Sequence, residues 1–565
     1  MLKIPKVSND ELKDAAQWAV IDAQDDFCPD YVRYSDYEQL DAQSAGRFRT
    51  ACLNEAFHTV ERLSVPKGEG ILSRDTPRLP FPLRITYMLL LRRLLPALRD
   101  HLSPSCYSSR LDQWDGANYP WLRGHGVAAW ARFINAYRGA LIDNRGGGFA
   151  IVTDLTAFYE HLEIEPFVGE LRGLAGSAAD GVSDEFEALS KLLKAASAQG
   201  RGLPQNTDAS AFLASIYLKL VDDRARGINE LQYFRYVDDI RLVAPRRGLV
   251  IRGVQHVESS LRNLGLFANS KKTELVDSTG ETWRRQQQAD HDAVLAKCDE
   301  ALNDASEEAL GAAVESATDG FRSVVDHDDG GRLLRAYGNR LSRFAHFPDI
   351  SEPIFSLFEE LALPRFRSHP SGADHWARYI SAFMSDACQD ELIALLSDED
   401  HNTHAWTNMF AVIALGRSRA LSVHAMDRLR ILFRDEAQPP YLRGWAAVVY
   451  ARHGGNSERR EIVDKFLVGS QSMWLRRAGV VAAQELPVVT RARVFERSVK
   501  QDLELSLLWS YLEQHPKYDW FVRSEREYRK PSEPISPMES YEAVGTVGGE
   551  LQRFRAYSQF ENYDD

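Results

Sequence analysis

The stretch Tyr236-Val237-Asp238-Asp239 stands between two short apolar-biased runs, residues 231–234 and 240–243. Runs of that length read as strands joined by a tight turn, and here the turn carries two adjacent carboxylates. Neighbouring carboxylates repel unless something cationic neutralises them, and a divalent ion held by oxygen ligands is the usual answer. Side chains alternate across a strand, so the two aspartates diverge: the turn aims Asp238 at the metal and leaves Asp239 peripheral, though still a candidate ligand. A second firm carboxylate must come from another element.

The 565 residues exceed one ordinary core and predict roughly two to four domains. No apolar run approaches the roughly 18 residues that a bilayer span requires, and no charged-then-apolar leader opens the sequence, so the expectation is a cytoplasmic protein with no membrane partner. Cys28, Cys52, Cys106, Cys298 and Cys388 are far apart with no C-x-x-C pair, which argues against a disulfide framework and a zinc site. His401 and His404 have no companions at ligand spacing. A net charge of −13 excludes a general nucleic-acid coat, because non-specific phosphate binding grows with basic density. Any nucleic-acid contact must be local. Arg84, Arg92, Arg93, Arg99, Arg201, Arg235, Arg241 and Lys271-Lys272 are the candidates, against the blander expectation of solvated helix-face charges.

Along the chain, residues 10–111 read as helical, with a dense Leu/Met/Ile face over 85–98. Gly146-Gly147-Gly148 then precedes a strand at 149–152 and a helix from about Glu165. Pro204 leads into a helix expected over 209–223, followed by the acidic strand-turn-strand and a helix near 254–264. The order βαββα with antiparallel strands is α+β in style. After about Val276 strand signals stop. Trp376, Trp406, Trp445, Trp474 and Trp509 recur through the helical remainder, a spacing that suits stacked helix pairs, the alternative being an irregular bundle. The expected divisions are 1–75 (N-terminal helical), 76–280 (fingers and palm), 281–525 (helical repeats) and 526–565 (Pro/Ser linker and acidic-aromatic tail).

Asp154 ends the 149–153 strand and supplies the partner carboxylate. Two carboxylates from neighbouring strands, holding two Mg²⁺ or Mn²⁺ ions about 4 Å apart, would activate a 3′-hydroxyl and stabilise a pyrophosphate leaving group. Tyr159, five residues on, could block a nucleotide 2′-hydroxyl by bulk. Gly202-Leu203-Pro204-Gln205 makes a tight turn that lets backbone and Gln205 approach a nucleotide closely. Lys272, within Asn269-Ser270-Lys271-Lys272-Thr273, places an ammonium where polyphosphate would leave, as general acid or charge clamp.

Together these segments resemble the palm motifs of reverse transcriptases: Asp154 with Phe158-Tyr159, Gly202 to Gln205 with Asp208-Ala209-Ser210 and Phe212-Leu213-Ala214, Tyr236 to Asp239, and Asn269 to Thr273. Tyr107-Ser108-Ser109-Arg110 resembles the fingers motif, which implies that Arg110 faces nucleotide phosphates and that Phe158, Tyr159, Pro204 and Gln205 line the nucleotide site. The likeness covers roughly residues 75–280. With the long helical extension, it resembles the bacterial abortive-infection and defence-associated reverse transcriptases, in which a HEAT-like helical domain replaces an ordinary thumb. That resemblance implies antiphage DNA synthesis from dNTPs into single-stranded DNA, untemplated and primed on a tyrosine, by a homo-oligomer. Asn206 stands where many members carry glycine. Tyr31, Tyr34 and Tyr37 are the candidate primers, with Tyr557 and Tyr563 as rivals. Two other readings stand beside this one: a retron or mobile-element enzyme copying a bound RNA, and a scaffold whose helical repeats bind a phage or host protein.

Overall fold

The computed structural model describes residues 4, 6–53, 60–68, 70–111, 118–121, 125–143, 148–278, 291–304, 306–325, 331–345, 347–381, 384–398, 400 and 403–515. Two helices open it, α1 (Asn9–Asp22) and α2 (Ala42–Leu53), followed by a hairpin of β1 (Glu61–Lys67) and β2 (Leu72–Arg78). The hairpin corrects the expectation of unbroken helix over 10–111. Leu63 and Val65 alternate inward along β1, and Gly68 and Gly70 take positive φ at the turn, a period-2 signal too short to stand out among its charged neighbours. At Gly70 the requirement is doubled, since a Cβ there would lie 2.5 Å from Pro370 Cγ.

Next comes α3 (Phe81–Leu98), which Pro82 starts without loss because a first-turn N–H has no helical partner. It is buried on nearly every side and forms the axis of the polymerase-like core. Around it lie α4 (His125–Asp143), β3 (Phe149–Thr153), α5 (Phe158–His161), α6 (Ile164–Ala175), α7 (Ser183–Ala196), α8 (Asp208–Tyr217), α9 (Lys219–Arg226), β4 (Gln232–Tyr236), β5 (Asp239–Ala244), α10 (Arg247–Asn263) and β6 (Glu274–Asp277). The sheet order is β4-β5-β3-β6, all antiparallel, with β3 central. The helix expected over 209–223 is divided at Leu218 into α8 and α9, and the one expected from 254 begins at Arg247.

From His291 to Gln514 the described residues are helical, completing the α+β core with a helical C-terminal region. Helices Ala373–Ser381, Ala405–Gly416, Pro440–His453, Met473–Ala483 and Leu503–Gln514 pack successively on one another, while Asp386–Ser397 and Val423–Arg434 form a second layer behind them. The five recurrent tryptophans all lie in the first layer, and all are buried. That layer receives the N-terminal segment: Trp406 Nε1 donates to the Phe27 carbonyl at 2.8 Å and Trp445 Nε1 to that of Pro29 at 3.1 Å. Residues before 75 therefore share both cores: Leu12, Trp18 and Phe48 pack with the palm, and Phe27, Tyr31, Leu63 and Val65 with the helical layers.

Candidate active site

Register does most of the placing. In the antiparallel pair β3–β5, Thr153 faces Ile240, so one step on Asp154 comes level with Asp239 and the acidic turn. In β3–β6, Val152 faces Glu274, so two steps on Asp154 comes level with Lys272. The loop before β6 is sewn to the end of β3 by Asn269 N–H donating to the Asp154 carbonyl at 2.7 Å and Thr156 N–H to the Phe267 carbonyl at 2.9 Å. Lys272 Nζ lies 3.5 Å from Asp154 Oδ2. Three segments far apart in sequence thus meet at the C-terminal end of one central strand.

Burial and mutual charge set the electrostatics of these carboxyls. Burial pushes the Asp154 carboxyl up to about 6, with Lys272 opposing and the Asp239 charge adding to the rise. Asp238 is held well above the usual carboxylate range by burial and then by the charge of Asp154. Its Oδ1 is buried with no hydrogen-bond partner among the described residues. An orphaned buried carboxylate oxygen beside a second carboxylate fits divalent-metal binding. Asp239 is turned otherwise: Arg241 grips it at 3.2 Å, and Arg241 in turn lies over the Tyr137 ring at 4.7 Å. Among the described residues no three His, Cys, Asp or Glu side chains gather at metal-holding spacing. Asp238 feels the charge of Asp154, and Asp239 acts on both, but Asp239 is the one held by an arginine.

The acidic turn is braced by residues the sequence reading assigned elsewhere or missed. Val237 adopts φ +51°, a left-handed conformation that a β-branched residue reaches only under constraint. Its N–H donates to Ser108 Oγ at 3.1 Å, and its carbonyl accepts from Arg235 Nη1 at 2.9 Å. Arg235 is fully buried on Asp222 at 2.6 Å. Arg235 was a candidate nucleic-acid contact; it is instead the strut that holds Asp238 in place. The signal available was its position directly before Tyr236 on an otherwise apolar strand.

The nucleotide-side residues assemble around α5. Tyr159 and Phe158 are buried with ring centroids 5.2 Å apart, and Leu203 N–H donates to the Tyr159 carbonyl at 3.0 Å. Gly202, at φ +90°, brings the Gly202-Leu203-Pro204-Gln205 turn against that carbonyl, and Gln205 is buried beside it. Asn206 takes φ +58°, a conformation asparagine tolerates better than most residues, so the glycine-like geometry survives the substitution. Arg110 Nη1 donates to the Cys106 carbonyl at 2.9 Å, fastening its own loop.

Most of the other proposed phosphate contacts are spoken for. Arg84 pairs with Asp22 and Asp26, Arg92 with Asp14, Arg93 with Glu11 and Glu185, Arg99 with Asp100, and Arg201 with Glu163. Lys271 is exposed. The candidate priming tyrosines are also corrected. Tyr31 donates to the Trp474 carbonyl at 3.1 Å, Tyr34 accepts from Arg78 at 3.1 Å, and Tyr37 donates to Glu504 at 2.6 Å. All three are buried and serve the seam between the polymerase-like core and the helical layers. Tyr557 and Tyr563 lie outside the described residues, as does His401, while His404 contacts the Gly70 carbonyl at 2.6 Å.

Residues 134–291 match the family model described as reverse transcriptase (RNA-dependent DNA polymerase). This segment is similar to reverse transcriptase domains. Comparison with curated proteins finds no match. Among solved structures, similarity extends to apo telomerase from Candida tropicalis truncated from its C-terminal domain, with 15% identity, 40% of this chain and 51% of that chain covered, and a TM-score of 0.29. The untruncated Candida tropicalis apo telomerase gives 10% identity, 71% and 73% coverage and a TM-score of 0.28. Telomerase from Candida albicans, in complex with a fragment of telomeric RNA, gives 13% identity, 61% and 62% coverage and a TM-score of 0.28. The chain spans about half the length of the truncated telomerase. Among the described residues, no helix is long and apolar enough to cross a membrane.

Proposed function

We propose that the chain polymerises deoxynucleotides at Asp154 and Asp238. The observation that carries this reading is the buried Asp238 Oδ1, without a hydrogen-bond partner among the described residues, beside Asp154, both carboxyls being raised above their ordinary range by burial and by neighbouring carboxylate charge. Asp154 and Asp238 would hold Mg²⁺ or Mn²⁺, which when bound supplies Lewis-acid activation of a 3′-hydroxyl and neutralises a leaving pyrophosphate. Lys272, next to Asp154, meets the polyphosphate as clamp or proton donor. Tyr159 excludes a 2′-hydroxyl, and Pro204 and Gln205 shape the nucleotide floor. Arg235 and Ser108 fix the turn that aims Asp238.

The biological setting we assign is antiphage defence in the cytoplasm, with untemplated, protein-primed synthesis of single-stranded DNA by a homo-oligomer. Support comes from the resemblance of the palm motifs and from the layered helices that follow them. With Tyr31, Tyr34 and Tyr37 buried, priming falls to a tyrosine such as Tyr557 or Tyr563. The test is incorporation of labelled dNTPs with Mg²⁺ or Mn²⁺, with and without added template, followed by protease and nuclease digestion to look for a tyrosine–DNA adduct. Asp154→Asn and Asp238→Asn should each abolish incorporation. Strict dependence of product sequence on an added or co-purified RNA would replace the untemplated reading with that of a template-copying enzyme. Phage protection that survives Asp238→Ala with Asp239→Ala would reduce the palm to a scaffold.

A further inference from the structure

Away from the palm, a cleft of about 640 Å³ opens where α2 meets the last helices of the C-terminal layers. Its size falls in the range of small-ligand sites, roughly 300–1,000 Å³. The floor is apolar, made by Phe48, Leu467, Met473 and Leu503. Charge is supplied from both sides of the seam: Arg47 comes from α2, Arg476 and Arg497 from the helical layers. The acidic groups present are already committed. Asp502 is paired with Arg476 at 2.7 Å, and Glu504 holds the Tyr37 hydroxyl at 2.6 Å, its carboxyl raised by burial. Arg47 and Arg497 are exposed and, among the described residues, have no ion-pair or hydrogen-bond partner. Ser498 and Gln501 add hydrogen-bonding groups on the Arg497 side.

We propose that this cleft binds a small phosphorylated ligand of nucleotide size, with Arg47 and Arg497 gripping the phosphates from opposite sides of the seam. Arginine suits the role because its planar, permanently charged fork meets phosphate oxygens in pairs. The apolar floor accepts a base or leaves room for solvent, so the shared chemistry is phosphate, carried by a nucleotide or by a free polyphosphate. A ligand held this way ties α2, which packs on α1 and α3 of the polymerase-like core, to the helices that receive the N-terminal segment.

Metal dependence separates this site from the palm. In EDTA, the full-length protein is titrated calorimetrically with tripolyphosphate and, separately, with dATP. Saturable binding is expected, at least about 10-fold weaker in Arg47→Gln/Arg497→Gln and weakened less in Arg47→Lys/Arg497→Lys, which keeps the charge but loses the paired donors; both positions are exposed, so the fold does not depend on them. dATP binding more tightly than tripolyphosphate identifies a nucleotide; equal binding identifies polyphosphate; either keeps the site. Absence of saturable binding in EDTA, or equal binding by the glutamine variant with unchanged circular dichroism, overturns the proposal. Loss of polymerisation by the palm would not touch it.

Discussion

Lys272 Nζ sits 3.5 Å from Asp154 Oδ2, brought there because β6 runs antiparallel to β3. In the reading proposed above, the contact joins a metal-holding carboxylate to an ammonium that serves the leaving phosphate. Lys272→Ala should lower kcat about 10²-fold. Lys272→Arg separates the two roles, since guanidinium keeps the charge but does not give up a proton at working pH. Recovery in steady-state dNTP incorporation assigns a charge clamp; activity left at the alanine level assigns proton donation.

Burial and the charge of Asp154 hold the Asp238 carboxyl well above its ordinary range, so ionising it in the folded protein costs free energy that an amide would not. Asp238→Asn should raise the melting temperature in EDTA at pH 8, by about 2–4 °C for a gain of about 1 kcal/mol. Millimolar Mg²⁺ should then stabilise the parent protein and leave the variant nearly unchanged, because only an intact pair binds it in the folded state. Thermal scans with and without Mg²⁺ check both. A variant that melts earlier in EDTA would mean that Asp238 is a structural acceptor.

Tyr159 is fixed from two sides, by the Phe158 ring and by the Leu203 N–H on its carbonyl. In the proposed reading its ring is the part that meets the sugar. Tyr159→Ala should increase the ratio of ribonucleotide to deoxynucleotide incorporation by about 10- to 100-fold. Competition assays with paired rNTP and dNTP measure it, and an unchanged ratio removes Tyr159 from the gate.

The palm was legible because register converts local sequence into place: a strand ending in Asp154 and a hairpin turning at Asp238 can meet in only a few ways. Tyr159 and Lys272 lie close in sequence to the ends of β3 and β6, whereas Gln205 lies far from any strand and is placed by the Gly202 turn. Arg235 and Asp222 were not legible as a pair, because a buried ion pair spanning α9 and β4 leaves no periodic trace, and an arginine in sequence looks the same whether it meets phosphate or aspartate. The tryptophan recurrence marked the stacked helices, yet not what their inner face receives. Tyr31, Tyr34 and Tyr37 looked exposed in a polar stretch; their neighbours Asp30 and Asp36 are the polar groups that bury with them. The β1–β2 hairpin was hidden because only Leu63 and Val65 alternate before the chain turns.

Arg477 is the counter-charge that lets that segment bury. It pairs with Asp30 and Asp36 at 2.9 Å each, with all three side chains almost wholly enclosed. Removing the arginine strands two carboxylates in the interior. Arg477→Leu should destabilise the protein by about 3–5 kcal/mol in urea unfolding, while Arg477→Leu combined with Asp30→Asn and Asp36→Asn should recover part of the loss. No recovery in the triple variant would place the effect in packing, not charge.

Glu504 closes the same seam and titrates near neutrality. Burial pushes its carboxyl up to about 7 from an ordinary 4.5, opposed by the Tyr37 hydrogen bond. The folded protein therefore holds this proton more tightly than the unfolded chain. Its contribution is fully present below about pH 4.5 and is lost as pH rises through about 7. Glu504→Gln keeps an acceptor for Tyr37 and cannot ionise, so its stability relative to the parent should rise between about pH 4.5 and pH 7 and level off above that. Urea midpoints taken across that range check the slope. A difference that is flat with pH would mean that Glu504 is as easily ionised folded as unfolded, and that the Tyr37 contact alone holds this end of the seam.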